Sequence, residues 1–126
     1  MLCPNCSSPL QDTTVTTKSD EQGVVSECFT CGGHWFPRWL ANDISFSTAT
    51  SLDAVVIHEA PPPNPQPRCP LCQTRLALIT HDSVAKGTSV YTCPQGHGNF
   101  FALGQLKSFK QAQEAKITYH ALWGIP

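Results

Sequence analysis

Two stretches of the chain alternate β-branched and polar residues around a turn. "TTVTTK" (Thr13 to Lys18) and "VVSE" (Val24 to Glu27) flank "SDEQG", and "LALIT" and "TSVYT" flank "HDSVAKG". Runs rich in Thr, Val and Ile on either side of a turn containing Asp and Gly predict two strand-turn-strand hairpins. After the second hairpin the period lengthens. From Leu103 to Trp123 there is no proline, and Leu103, Leu106, Phe109, Ile117 and Ala121 share one broad face. A terminal helix of about 15–18 residues is the expectation, although Lys110 and Gln113 fall inside that face. After the first hairpin, "PRWLANDISFSTATSLDAVVI" predicts a helical turn and loop, with Asn42 or Ser51 as candidate caps.

Between the two hairpin regions lies "HEAPPPNPQPR", His58 to Arg68, in a chain of 126 residues with 11 prolines. Such a run reads as a stiff polyproline-like spacer between a first unit, residues 1–57, and a second, residues 69–126. Units below roughly 70–80 residues seldom bury enough apolar surface to be stable alone and usually add disulfides or a structural metal. The start "MLCPNCSSPL" lacks the basic and apolar regions of a secretory signal, and no stretch approaches the roughly 20 apolar residues of a membrane span. The expectation is a soluble, cytoplasmic protein, where clustered cysteines are more often metal ligands than disulfides. The odd count of seven cannot pair fully within one chain.

The cysteine spacing makes metal the leading reading. Cys3 and Cys6 form one C-x2-C pair, and after 21 intervening residues Cys28 and Cys31 form its partner. Cys69 and Cys72 are followed after 20 residues by Cys93, with His97 four positions on. Each short pair bends round one side of a tetrahedron and the hairpin returns the second pair to the other side, as a four-coordinate zinc site requires. An offset of 66 superposes Cys3 on Cys69, Cys6 on Cys72 and Leu10 on Leu76. An offset of 65 superposes Cys28 on Cys93, Gly33 on Gly98, Trp35 on Phe100 and Phe36 on Phe101. The chain thus reads as an internal duplication. Only the fourth ligand breaks register, because Cys31 falls on Gly96 while His97 lies opposite Gly32. A ring nitrogen lies farther from its backbone than a cysteine sulfur, so a one-residue slide can keep the donor near the same point. Two Zn2+ ions are expected, one with four cysteines and one with three cysteines and a histidine; iron is the alternative for the first site. The glycines after each site, Gly32, Gly33 and Gly98, are expected to serve the tight turn around the metal, with positive φ.

The order "CP.C...L", a hairpin, then "C..CGG.WF" resembles the prokaryotic zinc ribbons named after the zinc ribbon of transcription factor IIB. Cys3, Pro4, Cys6, Leu10, Cys28, Cys31, Gly32, Gly33 and Trp35 carry the resemblance in the first half. Cys69, Pro70, Cys72, Leu76, Cys93, Gly98, Phe100, Phe101, Gly104, Gln105 and Leu106 carry it more loosely in the second. His97 as a displaced ligand, Phe100 for the usual Trp, and Trp39-Leu40 where the family has Gly-Glu are the departures. The resemblance covers about half of the chain and implies a fold class: a small metal-stabilised α+β protein of two tandem zinc ribbons with a C-terminal helix.

For function, the formal charge of −1 matters next. Two Zn2+ ions add four positive charges and seven thiolates add seven negative ones, which takes it to −4. With eight Lys and Arg in all, this disfavours a phosphate-binding surface and leaves nucleic-acid binding as the alternative reading. Four protein ligands at each site leave no open position for catalysis, so an enzyme is not expected. His34, His58, His81 and His120 have no nucleophile arranged with them and read as histidines of the surface or beside the metal sites. The leading reading is a protein-interaction adaptor, zinc acting only as scaffold. Trp35, Phe36, Phe100 and Phe101 are expected in the core beside the metals; Trp39 and Trp123 fall outside the repeat and are the candidate contacts for a protein partner. A charged fraction of 13% leaves a surface suited to docking.

Overall fold

The computed structural model describes residues 1–79 and 88–113. Both hairpins form. β1 (Gln11–Thr16) pairs antiparallel with β2 (Gln22–Glu27), and β3 (His34–Pro37) pairs with β2 through Ser26 opposite Trp35. Two short helices follow, α1 (Leu40–Asp43) and α2 (Phe46–Leu52), where a helical turn and a loop were expected. The cap of α2 is neither Asn42 nor Ser51 but Ser45, whose Oγ accepts from the Thr48 N–H at 3.1 Å, because Ser45 is extended immediately before the helical run whereas Asn42 lies inside α1 and Ser51 inside α2. In the second half β4 (Ala77–Ile79) pairs with β5 (Val90–Thr92), and β5 with β6 (Gly98–Phe101). Residues 105–113 form a third helix, α3. Ile117, Ala121 and Trp123 of the expected helix, with His81 and His120, lie outside the described residues.

The halves meet directly rather than standing apart at the ends of a spacer. β3 pairs antiparallel with β6, so the sheet runs continuously in the order β1-β2-β3-β6-β5-β4. The proline-rich run is itself tied down: the Asn64 N–H donates to Asn5 Oδ1 at 2.8 Å, and Asn64 Nδ2 donates to Pro4 O at 3.1 Å. A shared core is the physical reason, since neither half alone covers its sheet. One face of the sheet packs Val15, Val25 and Phe36 from the first half with Val90 and Phe101 from the second, under Ile44, Leu52, Leu106 and Phe109 of the helical layer. Phe36 and Phe101 meet edge to face with centroids 5.6 Å apart, and Phe101 touches Phe109 at 5.3 Å. Trp35 and Phe100 belong to a second cluster, with the cysteines.

The polar intrusions in the apolar face of α3 turn out to be its attachment. Lys110 is fully buried, and its Nζ donates to Ala41 O at 3.1 Å, Asn42 O at 3.3 Å and Gln113 Oε1 at 2.7 Å. Gln113 Nε2 donates to Asn42 Oδ1 at 2.9 Å. The start of α3 is capped from the far half, because the Asp53 carboxylate accepts from the Gly104 and Lys107 N–H groups at 3.2 and 2.8 Å. Both interactions are long-range, so helical periodicity carries no trace of them.

Candidate metal centres

Each candidate ligand pair begins in a backbone loop repeated almost atom for atom. In "CPNCS", Ser7 N–H donates to Cys3 O at 2.9 Å and Cys3 N–H to Ser8 O at 2.8 Å. In "CPLCQ", Gln73 N–H donates to Cys69 O at 2.9 Å and Cys69 N–H to Thr74 O at 2.8 Å. Ser7 and Gln73, 66 positions apart, both sit in the left-handed region at φ 63° and 62°. Amides inside the loops point at sulfur: Asn5 N–H to Cys3 Sγ, and Leu71 N–H to Cys69 Sγ, each at 3.4 Å. Such N–H groups stabilise a thiolate, which is the form that binds metal.

The returning loops differ in one respect, which accounts for the displaced ligand. Both are closed by the cysteine N–H donating to a glycine carbonyl, Cys28 to Gly33 O at 2.9 Å and Cys93 to Gly98 O at 3.0 Å. Inside the first, Gly32 at φ +79° bonds back to Cys28 O, four residues away; inside the second, Gly96 at φ +80° bonds back to Cys93 O, three away. The left-handed glycine therefore follows the ligand Cys31 in one loop and precedes His97 in the other. The ligand moves one residue later and the left-handed glycine one residue earlier, so the two exchange places between the loops. Gly33 and Gly98 are not the positive-φ residues expected. A Cβ on Gly33 would lie 2.5 Å from Phe100 Cζ, and one on Gly98 would lie 2.3 Å from Phe36 O and 2.8 Å from Trp35 Cζ2. Close packing across the seam opposes a side chain at both positions, against a ring edge at Gly33 and against backbone at Gly98.

All eight expected ligands come together in two groups of four. Within Cys3, Cys6, Cys28 and Cys31, and within Cys69, Cys72, Cys93 and His97, the donor atoms lie within 4.8 Å of one another. Cys3 Sγ is 3.6 Å from Cys31 Sγ, Cys6 Sγ is 3.4 Å from Cys28 Sγ, and Cys72 Sγ is 3.7 Å from Cys93 Sγ. His97 offers Nδ1, the ring nitrogen nearer its backbone, 3.8 Å from Cys69 Sγ and 3.6 Å from Cys93 Sγ. A tetrahedral ion with metal–sulfur bonds of ~2.3 Å requires sulfur–sulfur edges of about 3.8 Å, so both donor sets fit one. All seven cysteines are free thiols.

Without a cation these sulfurs must share protons. Cys31 is lowered to about 4 by its hydrogen bond with Cys3, whose own thiol is pushed up by the same contact and by burial. Cys69 is raised to about 11 by burial, while Cys72 is lowered to about 6, chiefly by hydrogen bonding from Thr74. A central divalent ion removes the conflict by ionising every thiol.

The remaining candidates separate by burial. Trp35, Phe36, Phe100 and Phe101 are buried as expected, and Trp39 is 78% exposed. His58 is exposed. His34 is neither at the surface nor at a metal. It is fully buried, with Nε2 3.4 Å from Glu27 Oε1 and Nδ1 3.9 Å from Asp53 Oδ1, because its place opposite Glu27 in the β2–β3 ladder turns it into the core. Nothing in local sequence pairs these three residues, and only the register reveals them.

A cavity of about 480 Å³ opens beside the seam, lined from the first half by Arg38, Trp39 and Asn42 and from the second by Val90, Asn99 and Phe109, among others. Among the described residues no helix is long and apolar enough to cross a membrane. Compared with protein-family models, with curated proteins and with solved structures, the chain finds no match.

Proposed function

We propose that each tetrad holds one Zn2+ as a structural ion and that the protein is an interaction adaptor built on two duplicated zinc ribbons of the kind named after transcription factor IIB. The observation that carries the metal assignment is the two sets of four donor atoms at tetrahedral spacing. Thiolate and imidazole ligands suit zinc, and four protein donors leave no position for a catalytic water, which favours scaffold over enzyme. Matching left-handed residues at Ser7 and Gln73 support the duplication.

Support for the adaptor role comes from Trp39, an exposed indole at the lip of a largely apolar cavity that residues of both halves line. Tryptophan is enriched at the energetic centres of protein interfaces. The test is affinity capture with the tagged, zinc-loaded chain from its source cell, with and without nuclease, at about 50 and 200 mM salt. An adaptor retains a protein partner in all four conditions. Capture that disappears with nuclease or at the higher salt identifies a nucleic-acid-binding protein instead.

A further inference from the structure

The lip of the seam cavity is held in an unusual backbone state. Arg38 is a non-glycine residue at φ 39°, a region such residues seldom enter without help. Help comes from the other half: the Arg38 N–H donates to His97 O at 3.3 Å, and Asn99 Nδ2 donates to Arg38 O at 2.9 Å. This kink ends β3, exposes the Arg38 side chain and turns Trp39 outward at 78% exposure. Behind it the cavity floor is apolar, formed by Ile79, Val90, Phe101 and Phe109, and its volume of about 480 Å³ lies within the range of ligand-binding pockets.

We propose that this groove docks a short peptide in which an apolar side chain is flanked by acidic ones, the apolar group entering the cavity under Trp39 and a carboxylate pairing with Arg38. The proposal rests on the adaptor reading and names its site and partner chemistry. Charge selects the occupant: among the described residues that line the cavity, Arg38 carries the one ionic group and none is acidic. Lys110, deeper in α3, spends its amine on Ala41 O, Asn42 O and Gln113. A small molecule sunk into the floor leaves the indole bare, whereas a peptide laid along the lip covers Trp39 and reaches Arg38. Arginine and tryptophan are the side chains most enriched at interface hot spots, and arginine binds carboxylates with two parallel hydrogen bonds.

The test uses the full, zinc-loaded chain and three capped octapeptides centred on a Leu-Phe pair, flanked by aspartates, asparagines or lysines. Titrations followed by amide chemical shifts are run on the parent, Trp39→Ala and Arg38→Glu, with folding of each variant checked by its metal content and far-UV spectrum. The expected result is saturable binding of the aspartate peptide with shifts at Asn99 and Val90. Affinity should fall at least tenfold in both variants and for the asparagine peptide, and the lysine peptide should gain on Arg38→Glu. Binding that ignores the peptide's charge or either substitution overturns the proposal, as does the absence of saturable binding up to millimolar peptide. The two readings fail separately. If the captured protein partner is retained equally by Trp39→Ala and Arg38→Glu, the groove is not the docking site and the adaptor role stands; if only nucleic acid is captured, the adaptor role itself falls.

Discussion

Trp35 and Phe100 lie directly opposite each other across the β3–β6 seam, and each ring covers the glycine of the other half, Trp35 over Gly98 and Phe100 over Gly33. The flanking pairs obey the same relation. His34 faces Phe101 and Phe36 faces Asn99, pairs that interchange when residues 65 apart are exchanged. A local two-fold axis therefore passes between Trp35 and Phe100, and the cysteine-bearing loops of both halves pack against that pair.

It follows that the halves unfold together. Trp35→Ala or Phe100→Ala, each removing a fully buried ring, should cost about 3–5 kcal/mol. Denaturant unfolding of the metal-loaded protein should show one transition, displaced as a whole. Two transitions with only one displaced would mean that the halves are independent.

Gly33→Ala and Gly98→Ala should both destabilise, by about 1–3 kcal/mol, with Gly98→Ala the worse. At Gly33 the obstacle is the edge of the Phe100 ring, which can tilt; at Gly98 it is the Phe36 carbonyl at 2.3 Å, part of a hydrogen-bonded ladder. Thermal melts of the two variants side by side check the order.

Lys110→Ala should cost about 2–4 kcal/mol, since it strips donors from the buried Ala41 carbonyl and from the Asn42 carbonyl as well as removing packing. Asp53→Ala, which leaves the first amides of α3 without their acceptor, should cost about 1 kcal/mol. Loss of helical far-UV signal before loss of metal would locate both effects in α3.

Much of this architecture is legible locally, and what escapes is what depends on the seam. The hairpins, the two ligand sets and the displaced His97 follow from spacing and alternation within each half. The aligned glycines Gly33 and Gly98 and the aligned aromatics Trp35 and Phe100 are also visible as a repeat, but a repeat does not say that copies pair with each other. Taken one segment at a time, Gly98 looks like a turn residue, His34 like a surface histidine and Lys110 like a flaw in an amphipathic face. Gly98 is set by the β3–β6 pairing, His34 by its place opposite Glu27 in the β2–β3 ladder and Lys110 by the carbonyls of Ala41 and Asn42, none of which local periodicity reveals.

Metal retention should fall with acid. Bound thiolates titrate far below their ordinary range, so the stability they contribute is present above that range and is lost as protons displace the ion from the sulfurs. A pH titration of released metal should therefore rise steadily on acidification and coincide with loss of the sheet signal. A strong chelator at neutral pH should produce the same unfolded state; a chelated protein that keeps its sheet would show that the ions do not hold the fold.

The central claim is two structural zinc ions on eight named donors, and its most direct test is metal analysis with native mass spectrometry of the parent beside His97→Ala and His97→Cys. The account predicts a colourless protein with two zinc ions and no disulfide, a His97→Cys variant that keeps both, and a His97→Ala variant that weakens only the second ion, the tetrad of Cys3, Cys6, Cys28 and Cys31 being untouched. One ion or none in the parent, or unchanged affinity at both sites in His97→Ala, would contradict it.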